Sequence, residues 1–490
     1  MHKKISIIGG GLSGLSAACY LAKSGHQVDI YEKNNSLGGR ARQIQTPDGY
    51  VFDMGPSWYW MHDVIENFFA DFGKKSDQFY KLIALDPQFE MVFADGTVKV
   101  PKDFGDLIKL FDSLEAGAGV RLNAFMEDAK IKYDVSMTNY IEKPCLSITE
   151  FFTLDIFKSV MKLNLFSDFR SFVRKYFRHP KLIALMEFPV IFLGAAPQSI
   201  PALYSMMNYG GLVLGTKYPL GGFFKIIEAM QSIAQELGVK IHCNCSVNKM
   251  MIYNDQIKSI QVNENQIITD LVVASADYHH IESLLPKDCA NYSEEYWDSR
   301  SLSPSTLIFY LGLDKPLPGL LHHTLFFEPS LDQHLHELYK ESKWPSNPLF
   351  YVCCPSKTDR IVMPHNHENL FLLMPIPAGV SDKPNLHEYY FELMLKRIEK
   401  HTGFTDLKSH IDYKKSFCIS DFIRDYNAFK GNAYGLANTL KQTAILKPSI
   451  KNKKIKNLYY AGHLTVPGPG VPPSIISGKI VAKQILRTLD

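Results

Sequence analysis

The 490-residue chain has almost no excess charge: 53 Lys and Arg against 50 Asp and Glu leave a formal +3. That balance offers no electrostatic handle for a polyanion and sets nucleic acid aside as a partner. Its eight cysteines include no C-x-x-C pair, so reduced thiols packed as small apolar groups are expected, rather than disulfides or thiolate metal ligands. There is no G-x-S-x-G elbow of a hydrolase. The His334-Leu-His336 and His365-Asn-His367 pairs have no Cys or carboxylate at ligand spacing, so no metal is predicted. Low-complexity tracts and internal repeats are missing. Uninterrupted apolar runs are scarce. Residues 188–216 carry no charge and could span a bilayer by length, but Pro189, Pro197, Pro201, Gln198 and Asn208 make them read as buried irregular structure. Met1-His-Lys-Lys leads straight into the first predicted strand, so no cleaved leader is expected. With 46% hydrophobic and 21% charged residues, the composition is that of a globular protein of two or three domains.

What is present starts at residue 5. Ile5-Ser-Ile-Ile8 is a short apolar run suited to a buried parallel strand. Gly9, Gly11 and Gly14 follow at G-x-G-x-x-G spacing, and an Ala-rich apolar helix continues from Leu15. One glycine makes the strand-to-helix turn, one lets backbone amides approach a pyrophosphate, and the third lets helix and strand pack closely. A second strand, residues 27–32, ends on Glu32, placed to accept hydrogen bonds from a ribose. The chain is therefore predicted to bind a dinucleotide. Gly38-Gly39-Arg40 adds a second glycine pair with a cation, able to close over the pyrophosphate from the other side. This extended form resembles the amine-oxidase-like flavoproteins, and the resemblance implies FAD; no second fingerprint is present for a separate NAD.

The fold expected is α/β: a Rossmann-like FAD-binding domain assembled from residues 1–85, 225–290 and 450–490. An α+β substrate domain is divided between a mainly helical region, 90–220, that could face a membrane, and a region of strands and helices, 295–445. Residues 237–247 read as a helix end, a turn and a strand, 250–262 as a hairpin, and 270–277 as a buried strand. Apolar runs at 305–313 and 369–374 look like sheet strands. Near the end, a strand reaching Gly462 runs into the Gly- and Pro-rich loop Thr465-Val-Pro-Gly468-Pro-Gly470-Val471, with a helix expected from Ser474. Such a loop exposes backbone amides that can stabilise a pyrophosphate or a reduced flavin.

Further blocks extend the likeness along the chain: Phe52-Asp-Met-Gly55-Pro-Ser-Trp58-Tyr59-Trp60, Tyr218-Pro-Leu-Gly221-Gly222, His322-His323-Thr324, Asp421 to Asn427, Gly431 to Gly435, and Thr465 to Pro472. In this order they resemble the bacterial-type carotenoid desaturases, the phytoene desaturases in particular. The resemblance implies FAD-dependent, successive dehydrogenation of 15-cis-phytoene towards lycopene, with backbone contact from Val247 to the adenine and Gly55 in the flavin site. Two departures stand out: Val466 occupies a position where the family often has histidine, which falls here at His463, and Glu150 is the nearest match to an acid found early in the helical region. Other desaturases of the family, acting on hydroxycarotenoids or C30 diapocarotenoids, and carotene isomerases are the alternatives.

Removing a hydride and a proton from a C–C bond asks the flavin to take the hydride and the protein to hold a long apolar polyene, exclude water and accept the proton. Glu150 and Asp421, carboxylates among aromatic residues, are the candidate acceptors; oxygen or a membrane quinone would reoxidise the flavin. Trp58, Tyr59 and Trp60 could wall the flavin, and His322 and His323 could line a tunnel. Between residues 158 and 181, Phe166, Phe169, Phe172 and Tyr176 recur at helical spacing among seven Lys or Arg. An aromatic face flanked by basic groups can lie in a headgroup zone, so a cytoplasmic location, attached peripherally to the inner face of the cell membrane, is expected.

Overall fold

In the computed structural model, residues 2–147, 150 and 167–489 are described, the side chain of Phe192 excepted. The predicted Rossmann-like unit is a five-stranded parallel sheet in the order Leu458–Tyr460, Leu271–Ala274, Lys4–Ile8, Gln27–Tyr31, Lys240–His242. Its strands come from three distant parts of the chain. Lys4–Ile8, Leu271–Ala274 and Leu458–Tyr460 are apolar and buried, as a sheet covered on both faces requires, while the edge strand Lys240–His242 is partly exposed. Helix Leu12–Lys23 lies against helices Phe224–Glu236 and Val471–Leu489. The last contact is close because Gly478 faces the Ser13 carbonyl, where a Cβ would sit 2.3 Å from the oxygen. The 250–262 hairpin is present as Val247–Tyr253 and Gln256–Val262, joined by a third strand, Asn265–Ile268.

A seven-stranded sheet forms the second unit, ordered Ile411–Phe417, Ser305–Leu313, Glu368–Ile376, Phe350–Cys353, His323–Phe326, Phe89–Phe93, Gly96–Val100. Every residue of Ser305–Leu313 is buried. One side packs Phe309 and Leu311 with Phe391 and Met394 of helix Pro384–Thr402; on the other, Ile308 lines a cavity shared with the first unit.

Three expectations need correcting. The 90–220 region is not helical from its start, because Phe89–Phe93 and Gly96–Val100 form a hairpin in the large sheet. Phe89 to Val92 are buried without a break, and buried Val98 and Val100 alternate with exposed Thr97 and Lys99, a strand's period. The terminal helix begins at Val471 rather than Ser474; Pro472 and Pro473 fit its first turn, where no N–H is needed. The aromatic face of helix Phe169–Tyr176 turns inward: Phe172 and Tyr176 each lie 5.3 Å from the Phe125 ring, and Lys132 Nζ sits 3.9 Å over Phe172. Arg170 and Arg174 pair with Glu187. Lys158, Lys162 and Phe166 lie outside the described residues. Residues 188–216 form short irregular turns, as expected, and no described helix is long and apolar enough to cross a membrane.

Candidate active site

The strand Lys4–Ile8 ends in Gly9, whose positive φ of 101° turns the chain into helix Leu12–Lys23. Gly14 has the packing role: a Cβ there would lie 2.1 Å from the Gly9 carbonyl oxygen. Gly11 differs, since its added Cβ would meet nothing closer than Gly39 Cα at 3.9 Å. Gly11 and Gly38 face one another as a parallel bridge, so two glycine runs make a crease without side chains beside a helix N-terminus. Gly55 is held close to this second run, where a Cβ would lie 2.7 Å from the Arg40 carbonyl oxygen.

Glu32 is buried at the end of its strand. Its Oε2 accepts the Gly10 N–H at 2.8 Å, and its Oε1 accepts from Asn34 N and Nδ2 at 2.9 and 2.8 Å. These bonds hold the carboxylate in place with lone pairs left for a ribose. Arg40 donates from Nη2 to the Asn432 carbonyl at 3.1 Å and lies 5.1 Å over the Tyr426 ring, while its buried Nε has no partner among the described residues. A buried guanidinium N–H left open beside a glycine crease is suited to a phosphate oxygen. Val247 lines the cavity next to Ser246. Gly462, Gly468 and Gly470 adopt φ of 125°, 139° and 115° and bring the loop to helix Val471–Leu489. Every predicted cofactor residue except Gly14 lines one cavity of about 700 Å³. A side-chain-free cradle, an unpartnered arginine N–H and a helix N-terminus fit FAD.

The same cavity is lined by Trp58 and Trp60, whose rings meet edge to face at 5.3 Å, and extends into the second unit along Leu193, Met206, Ile308, Leu325 and Leu373. Trp58 stacks on His323 at 4.2 Å and 12°. His323 Nδ1 meets Tyr351 Oη at 2.6 Å, and Tyr351 donates to Ser57 Oγ at 3.0 Å. Burial keeps both histidines of the pair neutral, His322 pushed down to about 3. They support the Trp58 wall from behind. Tyr59 is turned away, bonded to Tyr80 Oη at 2.8 Å. His322, His323 and Cys353 do bring three ligand-type atoms within 4.8 Å, as do Asp382, His387 and Cys418. In each group burial pushes the thiol's pKa up, disfavouring the thiolate that a metal needs.

Neither proposed proton acceptor is among the residues lining the cavity. The Glu150 carboxylate accepts the N–H groups of Cys145, Leu146 and Ser147 at 3.0, 2.7 and 3.1 Å, holding a loop together. Asp421 accepts the Cys418 N–H at 2.8 Å and pairs with Arg424 at 2.6 Å, capping helix Ile419–Tyr426. Among the described residues, the carboxylates lining the cavity are Glu32, Asp277 and Asp425, the last paired with Arg42 at 2.6 Å. Asp53 explains why two of the sequence blocks belong together: it accepts the Phe223 N–H at 2.7 Å, beside the Gly221-Gly222 turn.

Sequence reasoning missed two buried bases. Lys447 is 4% exposed, and its Nζ has no partner among the described residues. It lies 3.4 Å from where a Gly468 Cβ would be, and burial lowers its pKa to about 8. His334, dismissed above as half of an unconvincing metal pair, is buried and lines the cavity. His463 also lines it, so the histidine displaced from position 466 still faces the site.

The family model for flavin containing amine oxidoreductases matches residues 12–486. The chain belongs to that family. It is 38% identical over 488 residues to a carotenoid 3,4-desaturase of Haloarcula japonica, covering 99% of this chain and 98% of the relative. It is 29% identical over 500 residues to a 4,4'-diapophytoene desaturase (4,4'-diaponeurosporene-forming) of Staphylococcus haemolyticus, covering 99% of each. Within the family it therefore stands with the carotenoid desaturases, as an FAD-dependent oxidoreductase acting on CH–CH bonds. Solved structures share the fold: a putrescine oxidase triple mutant at TM-score 0.65 and 12% identity, covering 99% of both chains, and an oxidoreductase from Methanosarcina mazei at 0.62 and 16%, covering 98% of this chain and 100% of that one.

Proposed function

We propose that this carotenoid desaturase dehydrogenates the 3,4 bond of a carotenoid. The observation that carries the reading is the single cavity joining a dinucleotide cradle to an apolar compartment with no carboxylate among its described substrate-side lining. The full-length likeness to the Haloarcula japonica 3,4-desaturase favours that bond. A second reading, successive dehydrogenation of 15-cis-phytoene towards lycopene, rests on the sequence blocks that resemble phytoene desaturases.

Bound FAD supplies a ring that accepts a hydride. The glycine crease, Glu32 and Arg40 hold the dinucleotide. Lys447 and the first turn of helix Val471–Leu489 place positive charge at the Gly468 loop, which would favour negative charge on a group held there. Trp58, braced by His323, and Trp60 hold the polyene chain at the mouth of the apolar compartment and exclude water; the Trp58 face also favours positive charge developing on the chain. We place the chain at the cytoplasmic face of the membrane, where such substrates dissolve, with oxygen or a membrane quinone as electron acceptor.

The test is incubation of the flavin-loaded protein, without air and then with air or quinone, with phytoene or with a long conjugated carotenoid saturated at its 3,4 bond. A red shift by one double bond with the second substrate alone supports the 3,4 reading. Coloured products from phytoene replace it with the second reading, and an unbleached flavin with both rejects the two together.

A further inference from the structure

The apolar compartment contains a hydrogen-bond donor whose direction is set by the backbone. The Leu349 N–H donates to His334 Nδ1 at 3.1 Å, so that nitrogen carries no proton. Burial lowers the pKa of the ring to about 4, leaving it neutral near pH 7. The one ring proton then sits on Nε2, which is buried and has no partner among the described residues. His334 is 2% exposed and lines the cavity together with Leu349 and Phe350. Helix Leu331–His336 is anchored by Ser330, whose Oγ caps Gln333 N–H at 3.4 Å, and by packing of Leu335 with Ala196 and Leu338. A pure hydrocarbon leaves such a donor unsatisfied, a costly arrangement in an apolar wall.

We propose that His334 forms an oxygen-reading subsite, its Nε2–H donating to an end-group oxygen of the polyene. The ligand class is a long carotenoid whose end carries an alcohol or a ketone. The inference rests on the carotenoid reading above and adds to it which end group is preferred. It agrees with action at a 3,4 bond, because carbons 3 and 4 lie near the chain end and an end-group oxygen then lies within the enclosed site.

The experiment uses the FAD-loaded full chain and three polyenes of equal length and conjugation, ending in hydrocarbon, alcohol or ketone, presented in detergent micelles. Dissociation constants come from the absorption shift of the bound polyene. The oxygenated ligands are expected to bind about three- to tenfold tighter than the hydrocarbon, as one buried hydrogen bond provides; the alcohol and ketone arms show which oxygen is taken. In His334→Asn the side-chain oxygen can still accept from Leu349 but no donor reaches as far as Nε2. The preference should fall to about one. His334→Gln, which can place an N–H near the Nε2 position, should retain the preference. Equal binding of all three ligands by the wild type overturns the subsite, and so does an undiminished preference in His334→Asn. Should that variant not fold, the wild-type ratio decides. Failure of every polyene to bind a flavin-loaded protein overturns the carotenoid reading instead, and is read from the same titration.

Discussion

The two ends of the cavity are built on opposite principles. At the dinucleotide end, glycines remove side chains, and two buried charges are kept in place by partners, Glu32 by three N–H donors and Arg42 by Asp425, while Lys447 Nζ and Arg40 Nε are left open to a ligand. At the polyene end the wall is built of side chains, and the buried bases are neutral imidazoles, His334 in the wall held down to about 4 and His322 behind it to about 3. The first end recognises by backbone and charge, which tolerate little change. The second recognises by shape, with one directed N–H.

The sharpest way to test the contrast is at two glycines a turn apart. Gly14→Ala should destabilise the fold by roughly 3 kcal/mol or more, since a Cβ 2.1 Å from a carbonyl oxygen forces helix and strand apart; thermal melting reads it. Gly11→Val should leave a folded chain without flavin, because its methyls occupy the open crease. A normal flavin-to-protein ratio in Gly11→Val would remove the dinucleotide assignment.

Acid and base should then separate the two ends by sign. Burial raises Glu282, in the first unit, to about 7 from an ordinary 4.5. The unfolded chain ionises it first, so this group makes the fold lose stability as pH rises between those values. His322 is lowered to about 3 from 6.5. Its contribution is intact above 6.5 and is lost as pH falls through that window, by roughly 2 kcal/mol at pH 5. Melting curves of Glu282→Gln should lose the first slope and those of His322→Gln the second; unchanged slopes would mean that neither group is buried as described.

A moderate effect is expected at Lys447. Lys447→Met should keep flavin but lower its reduction potential by roughly 20–60 mV, the equivalent of about 1–3 kcal/mol for two electrons. Dye-coupled titration measures it, and an unmoved potential would place the lysine away from the ring. The smallest effects are expected at the two acids that the sequence singled out. Glu150→Gln and Asp421→Asn should each leave turnover within about twofold and cost about 1 kcal/mol of stability, as lost caps do. A hundredfold fall in turnover at Glu150 would restore it as the proton acceptor.

The comparison also marks how far reading the chain could go. Gly9, Gly11, Gly14, Glu32, Gly38 and Gly39 act through backbone geometry over short stretches, so their spacing alone identified the crease, the pairing of the two glycine runs and the kind of ligand. The C-terminal Gly–Pro loop was legible for the same reason. Glu150 and Asp421 looked catalytic because nearby aromatic residues suggested burial, yet each carboxylate satisfies backbone N–H groups within five residues of itself. The aromatic face of helix Phe169–Tyr176 had the right period for a membrane and equally for a core; Phe125, more than forty positions earlier, fills its ring contacts.

What the sequence determined by itself was the dinucleotide cradle, because glycine φ angles and strand–turn–helix spacing are local properties; the flavin and the kind of chemistry came with the resemblance of its ordered blocks to a known family. Only the tertiary structure decided which polar groups reach the cavity. It brought Lys447 to Gly468, turned Glu150 and Asp421 to backbone amides, and fixed the His334 tautomer through Leu349. Those outcomes depend on which distant segment supplies each buried donor or acceptor with a partner, and a buried polar group takes its role from that partner.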